Sequence, residues 1–146
     1  MIGVNSRLDS IQAAILDVKL KHLNEYAAAR NRAASVYDEA FANIEEIQTP
    51  VREMNSTHVF HQYTMKIQNG KRDELQSFLS EKGIPANIYY PVPLYEQDAF
   101  KEYVPEDFTL PITEKLCEQV LSLPIHTEMT EEIQTQITDA VKSFFD

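Results

Sequence analysis

Val59-Phe60-His61-Gln62-Tyr63-Thr64-Met65-Lys66-Ile67-Gln68-Asn69-Gly70 is the stretch on which the fold turns. Val59, His61, Tyr63, Met65 and Ile67 alternate with mostly polar neighbours. A period of two predicts a half-buried strand, and Asn69-Gly70 supplies the turn that ends it. On both sides of this stretch the spacing is helical. Downstream, Leu75, Phe78 and Leu79 predict a short amphipathic helix, with Gly83 where a left-handed C-cap belongs. Upstream, no Pro or Gly interrupts residues 4 to 49. A strand set between helical segments predicts an α+β domain: a long N-terminal helix and a small β-sheet with helices packed on it.

The long helix shows two apolar faces. Ser6 and Asp9 have the spacing of a capping box. Leu8, Ile11, Ile15 and Val18 line one face, and Leu16, Leu20, Leu23 and Ala27 line a second. Two apolar faces predict burial on two sides. Tyr26, Arg30, Ala33, Tyr37 and Ala40 continue as one broad stripe. Such a length suggests a spine joining two bodies, straight or with a bend, with a plain antiparallel bundle helix as the alternative. The expected organisation is a single domain over 1–146, with 1–45 a long connecting helix and 46–146 a small α/β domain. Thr49-Pro50 ends the helical region, and residues 51 to 56 read as a loop. A second strand is expected from Ala86 to Tyr90, stopped by Pro91 and Pro93, which cannot donate to a ladder. Residues 91 to 111 read as an ordered loop with one helical turn. Leu116, Val120 and Leu121 suggest a short helix, Leu123-Pro124-Ile125-His126 a short extended stretch, and Thr130 the cap of a last helix with Ile133, Ile137, Val141 and Phe144 on its buried face.

The chain has 146 residues, 13 Lys+Arg against 23 Asp+Glu, and a formal charge of −10. One domain is the default at this length, and such a chain buries roughly 70% of its unfolded surface. The acidic balance argues against nucleic acid, which needs a basic stripe, and against an anionic membrane surface. The single Cys117 excludes an internal disulfide framework and a Cys-based zinc site, which makes a reducing, cytoplasmic setting the expected one. No run approaches about 18 apolar residues, so no membrane span is expected. The abrupt start at Met1-Ile2-Gly3 suggests a piece of a longer protein.

Catalytic machinery is hard to find. HExxH, GxSxG and a Gly-rich phosphate loop are absent. Cys117 lies on the apolar side of a short helix, where a buried, inert thiol is expected. His22 reads as part of a solvated face. His58 and His61, three apart in a strand, would point to opposite faces and not chelate one metal. No metal site is expected.

Two clusters carry chemistry. Gly3-Val4-Asn5-Ser6-Arg7 places an amide, a hydroxyl and a guanidinium at a helix start, where free N–H groups and the helix dipole favour an anion. Ordinary capping, with Arg7 in a surface salt bridge, is the alternative. Tyr89-Tyr90-Pro91-Val92-Pro93-Leu94-Tyr95 sets three tyrosines around two prolines, either a rigid wall for a sugar or aromatic group or plain loop packing. His126 is either a site residue or a satisfied structural histidine.

At these clusters the sequence resembles the C-terminal part of the nucleotide-sugar aminotransferases of the DegT/DnrJ/EryC1/StrS type. These are pyridoxal-phosphate enzymes of fold type I, the aspartate-aminotransferase fold. The resemblance rests on Gly3-Val4-Asn5-Ser6-Arg7-Leu8-Asp9 with Gln12-Ala13-Ala14-Ile15-Leu16, the Arg30 to Tyr37 helix, and His61-Gln62-Tyr63. It continues through Gly83-Ile84, Tyr90-Pro91-Val92-Pro93-Leu94 and Leu121-Ser122-Leu123-Pro124-Ile125-His126.

By that resemblance the chain is roughly the last two fifths of an enzyme that passes an amino group, with glutamate as donor, to a keto-sugar nucleotide in polysaccharide or amino-sugar (lipopolysaccharide) biosynthesis. The cofactor lysine and its acidic partner would lie upstream. No residue here is assigned to catalysis, and no covalently bound cofactor is expected on the isolated chain. The family's N-x-R motif places Asn5 and Arg7 against the cofactor phosphate of a neighbouring subunit, which implies a homodimer. The Tyr-Pro-x-Pro-Leu loop implies a substrate side at Tyr90, with Tyr95 and His126 beside it. The family often carries His after Pro-Leu where this chain has Tyr95. Tyr95 keeps a hydroxyl for a sugar but is no proton carrier near neutral pH. Two other readings stand beside this one: a non-catalytic dimerising or sugar-phosphate-binding module, and a small regulatory domain that senses an acidic metabolite.

Overall fold

A computed structural model of the chain describes residues 7–146. Among the described residues, five α-helices and three strands run in the order α1 (Ser10–Leu20), α2 (Leu23–Phe41), β1 (Ile47–Gln48), β2 (Tyr63–Ile67), α3 (Arg72–Glu81), α4 (Pro111–Gln119), β3 (Val120–Leu123) and α5 (Glu131–Phe145), with two single-turn 3-10 segments at Leu94–Glu96 and Lys101–Tyr103. The expected α+β class, a small sheet with helices packed on it, is what forms.

The sheet is antiparallel in the order β1-β2-β3, with Ile47 opposite Ile67 and Tyr63 opposite Leu123. Along β2 the alternation puts Tyr63, Met65 and Ile67 into the core. The other face carries the cross-strand pair Thr64–Ser122, whose hydroxyls lie 2.7 Å apart. Tyr37 and Phe41 of α2, Leu75 and Leu79 of α3, and Ile137 and Val141 of α5 close over the inner face with Leu121 and Leu123. Asn69 and Gly70, at φ 61° and 71°, make the turn after β2, and Gly83, at φ 72°, ends α3. Thr130 caps α5 by accepting from the Ile133 N–H.

Three local expectations are corrected. The strand read from Val59 begins at Tyr63: Phe60 takes φ 45° and turns its ring into the core, so His58 and His61 lie outside any strand. The segment read as a strand over Ala86 to Tyr90 forms a single bridge, Asn87 to Ser122. Val120 and Leu121, read as helical, open β3, because α4 ends at Gln119 and Arg72 holds the junction. That 8% exposed guanidinium donates to the carbonyls of Cys117 at 2.8 Å and Val120 at 3.3 Å, a cation at a helix C-terminus. The long helical region bends at Lys21–His22, which divides it into α1 and α2.

α1 has no buried residue. Leu8, Ile11, Ile15 and Val18 on one face and Leu16, Leu20 and Leu23 on the other are all exposed, Ile11 at 76%. α2 by contrast packs against α5, and its buried residues, Ala33, Ala34, Tyr37 and Phe41, lie in its C-terminal half. None of the described helices is long and apolar enough to cross a membrane.

Candidate functional site

The cluster at the chain start is described from Arg7 onward. Asn5 and Ser6, and with Ser6 the expected Ser6–Asp9 capping box, lie outside the described residues. The capping box that forms is Asp9 with Gln12: Asp9 Oδ1 accepts from the Gln12 N–H at 2.8 Å, and Gln12 Oε1 accepts from the Asp9 N–H at 3.3 Å. The helix therefore starts at Ser10, and an aspartate carboxylate already occupies its positive end. Arg7 stands two residues ahead of that cap, exposed.

The tyrosine loop separates into two kinds of residue. Tyr90 is 69% exposed, with its ring edge-on to Tyr89 at 5.7 Å between centroids. Tyr95 is anchored. Its hydroxyl donates to Glu114 Oε1, and its ring meets Phe108 edge-on at 5.3 Å. Glu114 Oε1 also accepts from the Leu110 N–H at 2.8 Å, so one carboxylate caps α4 and pins the loop. The hydrogen bond to Glu114, then burial, pushes the Tyr95 hydroxyl up to about 12. His126 is exposed, and its Nδ1 accepts from the Glu128 N–H at 3.1 Å, a local turn contact. No hydrogen bond, ion pair or ring pairing joins Arg7, Tyr90, Tyr95 and His126 to one another among the described residues.

Sequence reading missed a network on the 50–60 loop. Arg52 binds Asp38 Oδ2 through Nε at 2.8 Å and Nη2 at 2.7 Å, and its guanidinium lies 4.7 Å from the centre of the Phe60 ring. The Tyr63 hydroxyl donates to Asp38 Oδ1 at 2.8 Å, and the Asn31 amide donates to the His58 carbonyl at 2.6 Å. Burial, the hydrogen bond to Asp38 and its charge all raise the Tyr63 pKa. Nothing in the local pattern at Asp38 or Arg52 signals this pairing, because the partners sit fourteen residues apart on a helix and a loop. Cys117, expected to be buried, is half-buried. No metal-binding cluster of His, Cys, Asp and Glu occurs among the described residues.

The fold is shared with solved sugar aminotransferases. The structure of Streptomyces venezuelae DesV in complex with a ketimine intermediate superposes with a TM-score of 0.89 at 34% identity, covering 100% of this chain and 39% of that one. The chain belongs to the DegT/DnrJ/EryC1/StrS aminotransferase family, which it matches over residues 1–142. It is 40% identical over 149 residues to the pleiotropic regulatory protein of Geobacillus stearothermophilus, covering 99% of the chain and 39% of that protein. It is 41% identical over 125 residues to the UDP-2-acetamido-2-deoxy-3-oxo-D-glucuronate aminotransferase of Pseudomonas aeruginosa, covering 86% of the chain and 33% of that protein. The chain thus spans less than two fifths of the length of these relatives.

Proposed function

We propose that this chain is the small-domain part of a pyridoxal-phosphate aminotransferase that acts on a keto-sugar nucleotide, with glutamate as amino donor. The observation that carries the reading is the family match over residues 1–142, which runs through both the Arg7 segment and the Tyr90 loop. Relatives named as transaminases of dTDP- and UDP-linked sugars support the substrate class.

The donor set at the chain start fits the cofactor's phosphate end. An amide and an unhindered guanidinium suit a dianionic phosphate, and Arg can grip it through two N–H groups at once. Asn5 and Arg7 would hold that phosphate from across a homodimer interface, while the cofactor, when bound, supplies the electron sink for amino transfer. No lysine of this chain is assigned to the cofactor. Tyr90 presents an exposed ring and hydroxyl toward a sugar. Tyr95 serves that loop by fixing it to Glu114, and His126 stands at the end of the Leu121–Ile125 segment.

The isolated chain is inactive on this reading, and the parent works in the cytoplasm on precursors of a surface polysaccharide or amino sugar. The test is a chimera in which residues 1–146 replace the matching segment of the S. venezuelae enzyme. Glutamate-dependent formation of 2-oxoglutarate with that enzyme's keto-sugar nucleotide supports the reading. A folded, cofactor-loaded chimera without turnover contradicts it.

A further inference from the structure

The Tyr90 loop hangs between two anchors. Upstream, Asn87 and Ser122 exchange main-chain hydrogen bonds, the Asn87 N–H to the Ser122 carbonyl at 3.0 Å and the Ser122 N–H to the Asn87 carbonyl at 2.8 Å. Downstream, the turn Leu94–Glu96 carries Tyr95, whose hydroxyl donates to Glu114 in the first turn of α4. Between the anchors, Ile88 to Val92 makes no backbone–backbone hydrogen bond among the described residues. Pro91 and Pro93 have no N–H to give. Ile88 is half-buried and Pro93 buried, while Tyr89, Tyr90, Pro91 and Val92 between them are exposed.

One continuous stretch of chain holds both anchors. α4 runs directly into β3, so Glu114 and Ser122 belong to the same unit. Arg72 fixes the junction through the Cys117 and Val120 carbonyls. The upstream anchor is main chain, and side-chain changes leave it in place. The downstream anchor is a side-chain bond to a single carboxylate oxygen, which also accepts from the Leu110 N–H at 2.8 Å. Bonds to a charged acceptor are stronger than neutral ones. Glu114 therefore decides where the second end of the loop stands, and Tyr90 moves with it.

We propose that Glu114 is a positioning residue for the sugar side of the reaction: acting through Tyr95, it holds the Tyr90 loop in the shape that receives the sugar nucleotide. This rests on the aminotransferase reading, with Tyr90 on the substrate side. A loop fixed before its ligand arrives gives up less freedom on binding. Taking the amino group from glutamate does not involve the sugar, so the role touches one half of the reaction only.

Two measurements test it. In the full chain, chymotrypsin cleavage after Tyr89 reads how firmly the loop is held. Glu114→Ala and Tyr95→Phe are each expected to speed it about fivefold. Tyr95→Phe removes the loop bond and spares the cap on α4, and circular dichroism verifies that both variants fold. In the chimera described above, Glu114→Ala is expected to raise KM for the keto-sugar nucleotide about five- to tenfold, the cost of one loosened contact. The single-turnover rate with glutamate alone should stay unchanged, and Glu114→Gln, which keeps an acceptor oxygen in place, should recover most of the loss. Unchanged cleavage in both variants, an unchanged KM for the sugar nucleotide in an active chimera, or equal losses with glutamate and with sugar would each overturn the proposal. A chimera inactive with Glu114 intact refutes the aminotransferase reading instead, and the cleavage rates then decide the anchoring alone.

Discussion

The Tyr37 hydroxyl, on α2, donates a 2.7 Å hydrogen bond to the carbonyl of Pro124, just past the end of β3. The ring is fully buried, stacked on Phe41 and tilted against Tyr63 at 4.9 Å. One residue therefore ties the long helical element to the sheet and to the Leu-Pro-Ile-His segment. Burial also raises its pKa, so the proton stays on the donor. Tyr37→Phe keeps the ring packing and leaves the Pro124 carbonyl without its partner. A loss of about 1–2 kcal/mol is expected in urea unfolding. An unchanged midpoint would mean that water replaces the hydroxyl at no cost.

The Tyr95–Glu114 pair gives the loop a defined pH range. The Tyr95 pKa is raised from 10.0 to about 12, so its contribution is complete below pH 10 and is lost as pH rises toward 12. Glu114 is held below its ordinary 4.5, first by the Tyr95 hydroxyl and then by the Leu110 N–H. Its contribution is present above that ordinary value and is lost as pH falls through the lowered one. Glu114→Gln should bring the Tyr95 ionisation down from about 12 toward 10. A spectrophotometric titration, with Tyr95→Phe subtracted to isolate the residue, reads this directly. A Tyr95 transition unmoved by Glu114→Gln contradicts the assignment.

α1 bears apolar side chains on two faces and covers none of them within the described chain. An eleven-residue helix with so much exposed apolar surface is marginal in water by itself. The isolated chain should therefore self-associate. Sedimentation is expected to show concentration-dependent oligomers, and Ile11→Glu with Ile15→Glu should shift them toward monomer. A strictly monomeric wild-type chain at high concentration contradicts this.

Elements with complete local signals were readable from sequence. Thr130 followed by Glu131 and Glu132 marked the start of α5, and Asn69-Gly70 and Gly83 marked their turns. The α+β class followed from the change of period between the helices and β2. Short apolar runs were not decidable. Leu116, Val120 and Leu121 fit a helix by spacing, yet the run divides between the end of α4 and β3. Val59 to Ile67 alternates throughout, but a left-handed turn at Phe60 removes its first half from the sheet. At the candidate site, residue types were legible and partners were not. The sequence shows Tyr95 as a tyrosine in an aromatic loop but not that its hydroxyl bonds Glu114, nineteen residues away. The helix break at Lys21–His22 had no Pro or Gly to announce it.

The central claim is that Asn5 and Arg7 hold a cofactor phosphate once the rest of the enzyme is present. Its most direct test is the dissociation constant of pyridoxal phosphate for the chimera, with Asn5→Ala and Arg7→Ala compared against the parent chimera by equilibrium dialysis. Each variant removes a hydrogen bond to a charged group, and a weakening of about 10- to 100-fold is expected, equivalent to ~1.5–3 kcal/mol. Undiminished cofactor affinity in both variants would contradict the account.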